Sequence, residues 1–200
     1  MSVLPRLPGP YAGLRLGLFG GSFHPAHGGH RHVAVTALKR LGLDAVWWSV
    51  AAGNPLKSDH GPFQTRLTSA RELAAHPAMR VTALEQAFGT RYTADLLARL
   101  MPRLAGARPV WIMGGDNLAT FQAWGRWTQI AETLPLCIVA RPGSSPRAGL
   151  SVFAQRYRAA RLPEYAARAL PTRVPPAWVY LKAPLQDISS SWLRAQDAPN

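Results

Sequence analysis

An α/β fold, with a doubly wound and mostly parallel sheet covered by helices on both faces, is predicted by three features of this 200-residue sequence. Short apolar runs alternate with longer segments whose apolar residues recur at helical spacing. Glycine directly follows several of the runs, as expected where a buried strand turns toward a helix. Hydrophobic residues make up 48% of the chain, which provides a sizeable core and excludes a wholly disordered protein. Alternation of this kind is typical of a Rossmann-like sheet.

Strands and helices alternate along the amino-terminal half. The first strand is predicted at residues 16–19, directly before Gly20 and Gly21. A helical apolar face extends from Gly29 to a C-cap at Gly42. The next predicted elements are a strand at 44–50, a helix at 63–75, a strand at 79–84 and a helix at 93–101 that Thr93 would cap.

The carboxyl-terminal half continues the same pattern. Buried strands are predicted at 109–113, before Gly114 and Gly115, and at 136–140. The remaining predicted elements are a mobile surface loop at 142–149, two helical pieces within 152–170 on either side of Pro163, and a strand at 178–181. Ligands of such sheets bind beyond the carboxyl ends of the strands, so functional residues are expected in the loops that follow strands.

Length and composition predict one domain over residues 1–200, of which residues 1–13 form a loose, proline-containing leader. The leader lacks the apolar core of a signal peptide, and no apolar run reaches the ~18 residues of a membrane span. Cys137 is the single cysteine, which excludes a disulfide framework. These features predict a cytoplasmic protein with no membrane partner.

The charge balance predicts an anionic partner. Lys and Arg number 23 against 10 Asp and Glu, for a formal net charge of +13. Such a surface attracts nucleic acid, acidic membranes or phosphorylated metabolites. Because no block of five or six consecutive basic residues occurs, a nucleic-acid partner is disfavoured.

The segment at residues 17–30, GLFGGSFHPAHGGH, concentrates groups that bind phosphate. Glycines let the backbone approach an anion, and the start of the following helix offers N–H groups and the positive end of its dipole. His27 and His30 are three residues apart at this helix start, so both rings can face one bound group. Two imidazole donors there would stabilise charge that develops during phosphoryl transfer.

This segment resembles the GGSFDPxHxGH motif of the HxGH-type nucleotidylyltransferases, with His24 in the position usually held by Asp. A second match, ISSSWLR at 188–194, resembles the ISSTxIR motif of the same enzymes. A serine run at a helix start supplies hydroxyl groups, and the fork of Arg194 suits phosphate oxygens. The resemblance implies an ATP site formed by Gly20, Gly21, Ser22, Phe23, His27, His30, Ile188, Ser189, Ser190 and Arg194.

The intervening segments are similar to the bacterial nicotinate-nucleotide adenylyltransferase family. They are GNPLK at 53–57, RYTADLL at 91–97 with Leu96 in place of the usual second Thr, and WIMGGDNL at 111–118 followed by Trp124. In that family Trp124 would stack on the nicotinate ring, and backbone N–H groups near Thr93 and Gly125 would hold its carboxylate. The implied contacts of nicotinate mononucleotide are Lys57, Thr93, Asp116, Asn117, Trp124 and Gly125.

The resemblance implies the reaction of ATP with nicotinate mononucleotide to give deamido-NAD and pyrophosphate. His27, His30, Lys57 and Arg194 would surround the polyphosphate as the catalytic groups, with Mg²⁺ bound to ATP and no metal held by the protein itself. The alternatives within this chemistry are nicotinamide mononucleotide or another phosphorylated acceptor. Alternatives from other classes are a nucleic-acid-binding protein on a nucleotide-binding scaffold and a metal-binding module. A homo-oligomer is compatible with the sequence.

Several of these residues also have a purely structural interpretation. The histidines could ligate a metal, Trp124 could pack in the core, and Lys57 could be an ordinary solvated lysine. Asp116 could act only as a helix N-cap. The sequence predicts that Cys137 is a core residue, as are Trp47, Trp48 and Trp111, and that Arg66 and Arg71 are solvated charges on a helix.

Overall fold

The computed structural model describes residues 5–53, 61–140 and 151–182, and their centre is a seven-stranded sheet in the order β3-β2-β1-β4-β5-β7-β6. All six neighbouring pairs run parallel, which confirms the predicted α/β fold. The strands are β1 Arg15–Gly21, β2 Ala45–Val50, β3 Met79–Thr82, β4 Arg108–Gly114, β5 Leu136–Val139, β6 Arg161–Leu162 and β7 Trp178–Leu181.

Seven α-helices are assigned within the described ranges. They are α1 Gly28–Leu41, α2 Phe63–Leu73, α3 Leu84–Phe88, α4 Thr93–Leu100, α5 Gly115–Leu118, α6 Trp127–Thr133 and α7 Val152–Arg156. Short 3₁₀ helices occupy Met101–Leu104, Phe121–Ala123, Arg158–Ala160 and Glu164–Thr172.

The sheet separates two apolar cores because alternate side chains of each strand point to opposite faces. In β4, Trp111 and Met113 join one core while Val110 and Ile112 join the other. Helices α1 and α2 cover the second of these faces, and α3 to α7 cover the first. The buried positions include Cys137, Trp47, Trp48 and Trp111, as predicted.

The order of the strands reverses at β1. The chain proceeds from β1 to β2 and β3 on one side, then crosses back so that β4 pairs with the other edge of β1. The loops after β1 and β4 therefore diverge and leave a crevice at the carboxyl edge of the sheet. The histidine-containing segment follows β1, so it lies at this crevice.

Gly20 and Gly21 lie inside β1, whereas the sequence predicted them in the turn after it. A Cβ on Gly20 would lie 2.4 Å from Cζ2 of Trp111, and one on Gly21 would lie 2.9 Å from Cζ of Phe23. The aromatic rings packed against the strand thus leave no room for a larger residue at either position. The turn itself comes at Phe23, whose φ of 51° is in the left-handed region.

The segment at 152–170 differs from the two helical pieces that the sequence predicted. Only α7 is an α-helix, and the two-residue strand β6 separates two 3₁₀ helices after it. The end of the segment at 79–84 also differs, because β3 stops at Thr82 and α3 begins at Leu84.

Part of the predicted leader packs on the core: Leu7 is buried and the Tyr11 ring contacts Trp47 edge-on, with centroids 6.1 Å apart. The loop predicted at 142–149 lies outside the described residues.

Candidate active site

His27 and His30 cap the start of α1 reciprocally. The amide N–H of Gly29 donates to Nδ1 of His27 (3.1 Å), and the amide N–H of His27 donates to Nδ1 of His30 (3.2 Å). Both side chains are buried, and their ring centroids are 4.0 Å apart. Because each Nδ1 accepts a backbone hydrogen bond, the proton of each neutral ring lies on Nε2. The prediction that both rings gather at one place is consistent with this geometry, which presents two Nε2–H donors.

The side chain of Phe23 packs against the ring of His30. Its side chain is 1% exposed and stacks on Trp48, with centroids 5.1 Å apart and planes inclined by 30°. The His30 ring meets Phe23 edge-on at 5.0 Å. Because Phe23 is buried and contacts His30 edge-on, its side chain supports the ring of His30.

The His24 ring lies against Gly61, the first described residue before α2. A Cβ on Gly61 would lie 2.3 Å from Cε1 of His24. The residue that departs from the family's Asp therefore packs the loop after β1 onto the entrance to α2, and a side chain at position 61 would displace it.

On the other side of the crevice, the structure brings the amino end of α4 next to Trp124 and Gly125. A Cβ on Gly125 would lie 3.1 Å from Cδ1 of Tyr92, the residue before Thr93. An ion pair between Arg126 and Asp95 joins the two segments. Thr93 is the first residue of α4 and Tyr92 is the N-cap, which corrects the prediction that Thr93 caps this helix.

Trp124 is half-buried, with its ring edge-on to Phe121 at a centroid distance of 5.3 Å. It packs on one core, as the structural interpretation of Trp124 expected, and remains partly accessible to a ligand. Tyr92, which is 46% exposed beside Gly125, adds a second aromatic ring that the sequence analysis did not single out. Its position directly before Thr93 could have indicated it.

Asp116 and Asn117 lie in α5, directly after β4. Gly114 is the N-cap of this helix, so Asp116 is not the cap that the structural interpretation suggested. The Asp116 side chain is exposed and the Asn117 side chain half-buried at the edge of the sheet where β1 and β4 diverge. Leu96, in contrast, is fully buried in the core, so its side chain is not part of a substrate surface.

Five predicted site residues lie outside the described part of the chain. They are Lys57, Ile188, Ser189, Ser190 and Arg194. Whether the second motif meets the histidines therefore stays a prediction.

Arg66 is a buried part of this region, and the prediction that it is solvated was wrong. Only 2% exposed, it donates from Nη1 to the carbonyl oxygens of Ser22 and Ala51, both at 2.8 Å. Glu85, also buried, accepts the amide N–H of Ala52 at 2.9 Å. Burial raises the pKa of Glu85 to about 7, against the opposing effects of the Ala52 hydrogen bond and the Arg66 charge. Arg71 is exposed, as predicted.

Within the described ranges, no group of three or more His, Cys, Asp or Glu side chains could hold a metal ion. None of the helices described is long and apolar enough to cross a membrane.

Comparisons with known proteins extend over most of the chain. A family model described as cytidylyltransferase-like matches residues 18–196. A Cereibacter sphaeroides protein named "Probable nicotinate-nucleotide adenylyltransferase" is 50% identical over 181 residues, which cover 90% of this chain and 96% of the relative. A Methylorubrum extorquens protein of the same name is 47% identical over 186 residues, covering 92% of this chain and 100% of the relative.

Two solved structures of Plasmodium falciparum nicotinic acid mononucleotide adenylyltransferase share the fold. The complex with NaAD has a TM-score of 0.67 at 16% identity, covering 90% of this chain and 82% of that one. The complex with APC has a TM-score of 0.65 at 15% identity, covering 91% and 83%. Because the sequence identities are this low, the likeness to these two structures shows a shared fold alone. Together with the parallel sheet and the histidine-capped helix at its switch point, the family match and the close relatives establish that this chain belongs to the cytidylyltransferase-like family.

Proposed function

We propose that this protein is a nicotinate-nucleotide adenylyltransferase that converts ATP and nicotinate mononucleotide to deamido-NAD and pyrophosphate. The observation that carries the proposal is the 50% identity, over 90% of the chain, to a protein with that name. The paired Nε2 donors of His27 and His30 at a helix start support it, because the chemistry requires positive charge around a polyphosphate. The proposal treats residues 1–200 as one catalytic domain, acting in the cytoplasm.

In the proposed reaction, a phosphate oxygen of the mononucleotide attacks the α-phosphorus of ATP. The bond between the α-phosphorus and the bridging oxygen breaks, and pyrophosphate leaves with that electron pair. The attacking phosphate is already ionised at neutral pH, so no protein nucleophile is needed. Catalysis then consists of alignment and charge stabilisation.

The protein's side chains divide this work between two sides of the crevice. On the ATP side, Nε2–H groups of His27 and His30 would donate to phosphate oxygens as negative charge moves onto the leaving group. Ser22 and the backbone of Phe23, in the loop after β1, would belong to the same ATP site. Lys57 and Arg194 would add charge to the polyphosphate, and Ile188, Ser189 and Ser190 would complete the ATP site.

On the acceptor side, the accessible part of Trp124 would stack on the nicotinate ring. Backbone N–H groups near Thr93 and Gly125 would donate to its carboxylate, and such donors favour an anion over a neutral amide. Asp116 and Asn117, at the end of β4, would contact the nucleotide.

Mg²⁺ would arrive with ATP as part of the substrate. A hard cation of this kind binds phosphate oxygens and water and lowers the charge that the attacking phosphate meets. The His-rich segment does not suit it as a resident ligand set, because both Nδ1 atoms of His27 and His30 are engaged with the backbone.

A pyrophosphate-release assay with ATP and a panel of acceptors tests the proposal. The panel contains nicotinate mononucleotide, nicotinamide mononucleotide and phosphopantetheine, each also tested with CTP in place of ATP. We expect the highest kcat/KM with ATP and nicotinate mononucleotide, by about tenfold or more over the nicotinamide compound, because the latter leaves the carboxylate donors unpaired. Equal or greater turnover with another pair would overturn the assignment.

A further inference from the structure

A single buried guanidinium ties the carboxyl ends of β1 and β2 together. Nη1 of Arg66, on α2, donates to the carbonyl oxygens of Ser22 and Ala51, both at 2.8 Å. The guanidinium lies over the Phe63 ring, 5.3 Å from its centroid, which holds it in place. Ser22 starts the loop that leads to His27, and Ala51 starts the loop after β2. This side chain, together with the hydrogen bond from the Ala51 amide to the Gly21 carbonyl, thus fixes the start of one loop against the start of the other.

Glu85 holds the second loop from the other side. Its Oε2 accepts the amide N–H of Ala52 at 2.9 Å, while its own carbonyl accepts the amide N–H of Thr90 at 2.8 Å. The carboxylate and the Arg66 guanidinium attract each other across the loop. Residues 51 and 52 are therefore held between the guanidinium on α2 and the carboxyl group on α3.

Burying these two ionisable groups is costly, and burial accordingly raises the pKa of Glu85. A buried ion pair contributes little net stability compared with apolar residues of similar volume. The hydrogen bonds of Arg66 and Glu85 end on backbone atoms of the two loops, and both residues are buried. The specific effect of the pair is thus on where the loops lie.

We propose that Arg66 and Glu85 are positioning residues of the transfer reaction, which fix the loop after β1 against the loop after β2 so that the two phosphates meet in line. The inference rests on the proposed function, since it concerns the alignment of ATP with its acceptor. A displacement of about 1 Å in such an alignment can cost about 100-fold in rate. Loss of either side chain should consequently lower kcat more than it weakens the binding of either substrate.

The test compares four variants at a temperature well below all their melting midpoints. Arg66→Met and Glu85→Ala each remove one end of the pair, and Glu85→Gln keeps an oxygen that can accept the Ala52 amide. Arg71→Met is the matched control, because Arg71 is an exposed arginine on the same helix. For each, kcat and both KM values are measured by pyrophosphate release, and the exchange rates of the Ala51 and Ala52 amides by NMR.

We expect Arg66→Met and Glu85→Ala to lower kcat by about 30-fold or more, with both KM values within about threefold of wild type. Glu85→Gln should recover kcat to within about fivefold of wild type, and Arg71→Met should remain within about twofold. The Ala52 amide should exchange about tenfold faster in Glu85→Ala. The Ala51 amide, which donates to the Gly21 carbonyl, should change by less than about threefold.

The outcomes separate the inference from the function on which it rests. An active wild type whose folded Arg66→Met and Glu85→Ala variants keep kcat within about threefold would overturn the positioning role, as would Ala52 exchange that does not respond. If Arg66→Met does not fold, the comparison of Glu85→Ala with Glu85→Gln decides, and equal kcat values in these two would overturn it. A wild type inactive with every acceptor would instead reject the proposed function, while the amide exchange would still report on the loop.

Discussion

His27 has a structural and a chemical task in the same imidazole. Its Nδ1 caps α1 and its Nε2 carries the proton of the neutral ring, so alanine at this position would remove both groups at once. Asparagine is a good N-cap and separates them, since it can accept from the Gly29 amide but presents no imidazole donor. The chemical role of His27 can therefore be tested without disrupting the start of α1.

We expect His27→Asn to reduce kcat by about 100-fold or more, with the KM for ATP within about threefold, because the lost donor acts mainly on charge that develops in the reaction. The melting temperature should stay within about 3 °C of wild type, whereas His27→Ala should lose about 1 kcal/mol of unfolding free energy. Steady-state kinetics and thermal unfolding check this. Equal losses in kcat and in ATP affinity would identify a histidine that matters only for structure.

Leu96 gives a second prediction at this scale. The family pattern has Thr there, but the fully buried Leu96 side chain packs in the core beneath α4. We expect Leu96→Thr to lower the free energy of unfolding by about 2–4 kcal/mol, since it removes apolar volume and buries a hydroxyl. Urea unfolding measures this, with Leu96→Met as a volume-conserving control that should cost less than about 1.5 kcal/mol. A change of more than about threefold in nicotinate over nicotinamide preference would show that the residue reaches the substrate after all.

Among the elements, the strands were the most predictable. Runs such as residues 109–113 and 136–140 are apolar on both faces, and only a strand inside a parallel sheet buries a run in this way. The strand β6 and the 3₁₀ helix before it were not predicted, because elements of two and three residues carry no measurable periodicity. The helix α6 was missed for a related reason: only Ile130 and Ala131 of its seven residues are buried.

The candidate site was predictable where it depends on motifs and unpredictable where it depends on burial. The histidine pair follows from spacing at a helix start. Arg66 was misread because an arginine on a helix is usually solvated, and nothing in the sequence shows that two carbonyl groups from distant loops converge on it. Its position emerges only when α2 packs against β2 and β3.

The packing between β1 and β4 yields a prediction for a strand glycine. A Cβ on Gly20 would lie 2.4 and 2.5 Å from Cζ2 and Cη2 of Trp111, atoms of the six-membered ring. We expect Gly20→Ala to lower the free energy of unfolding by about 1–3 kcal/mol, because the indole must move within a close-packed core. Denaturant unfolding of a double-mutant cycle with Trp111→Phe checks the cause. The cost of Gly20→Ala should fall by about 1 kcal/mol or more when the ring is smaller, and strict additivity would contradict the explanation.

At the scale of the whole molecule, the buried Glu85 couples folding to pH. Burial raises its pKa from 4.5 to about 7, so between these values the native protein keeps a proton that the unfolded chain has released. The stabilising contribution is complete below about pH 4.5 and is lost as the pH rises through about 7. Folding therefore becomes less favourable toward alkaline pH as far as this group is concerned.

The Glu85→Gln variant has no titrating group at this position. The difference in unfolding free energy between this variant and wild type therefore isolates the contribution of Glu85. We expect the unfolding free energy of wild type to fall relative to Glu85→Gln by up to about 3 kcal/mol between about pH 5 and about pH 8. Urea unfolding across that range measures the difference. A wild-type unfolding free energy that does not fall relative to that of Glu85→Gln as the pH rises would show that Glu85 does not titrate there.

The amino end of α1 has a consequence for inhibitor chemistry. Its first turn reads Gly-Gly-His-Arg, and the histidine caps leave both imidazoles on the same side as the positive pole of the helix. A competitive compound should accordingly gain most from a compact, multiply charged anion such as a bisphosphonate directed at that turn, whereas a cationic head group would meet repulsion there.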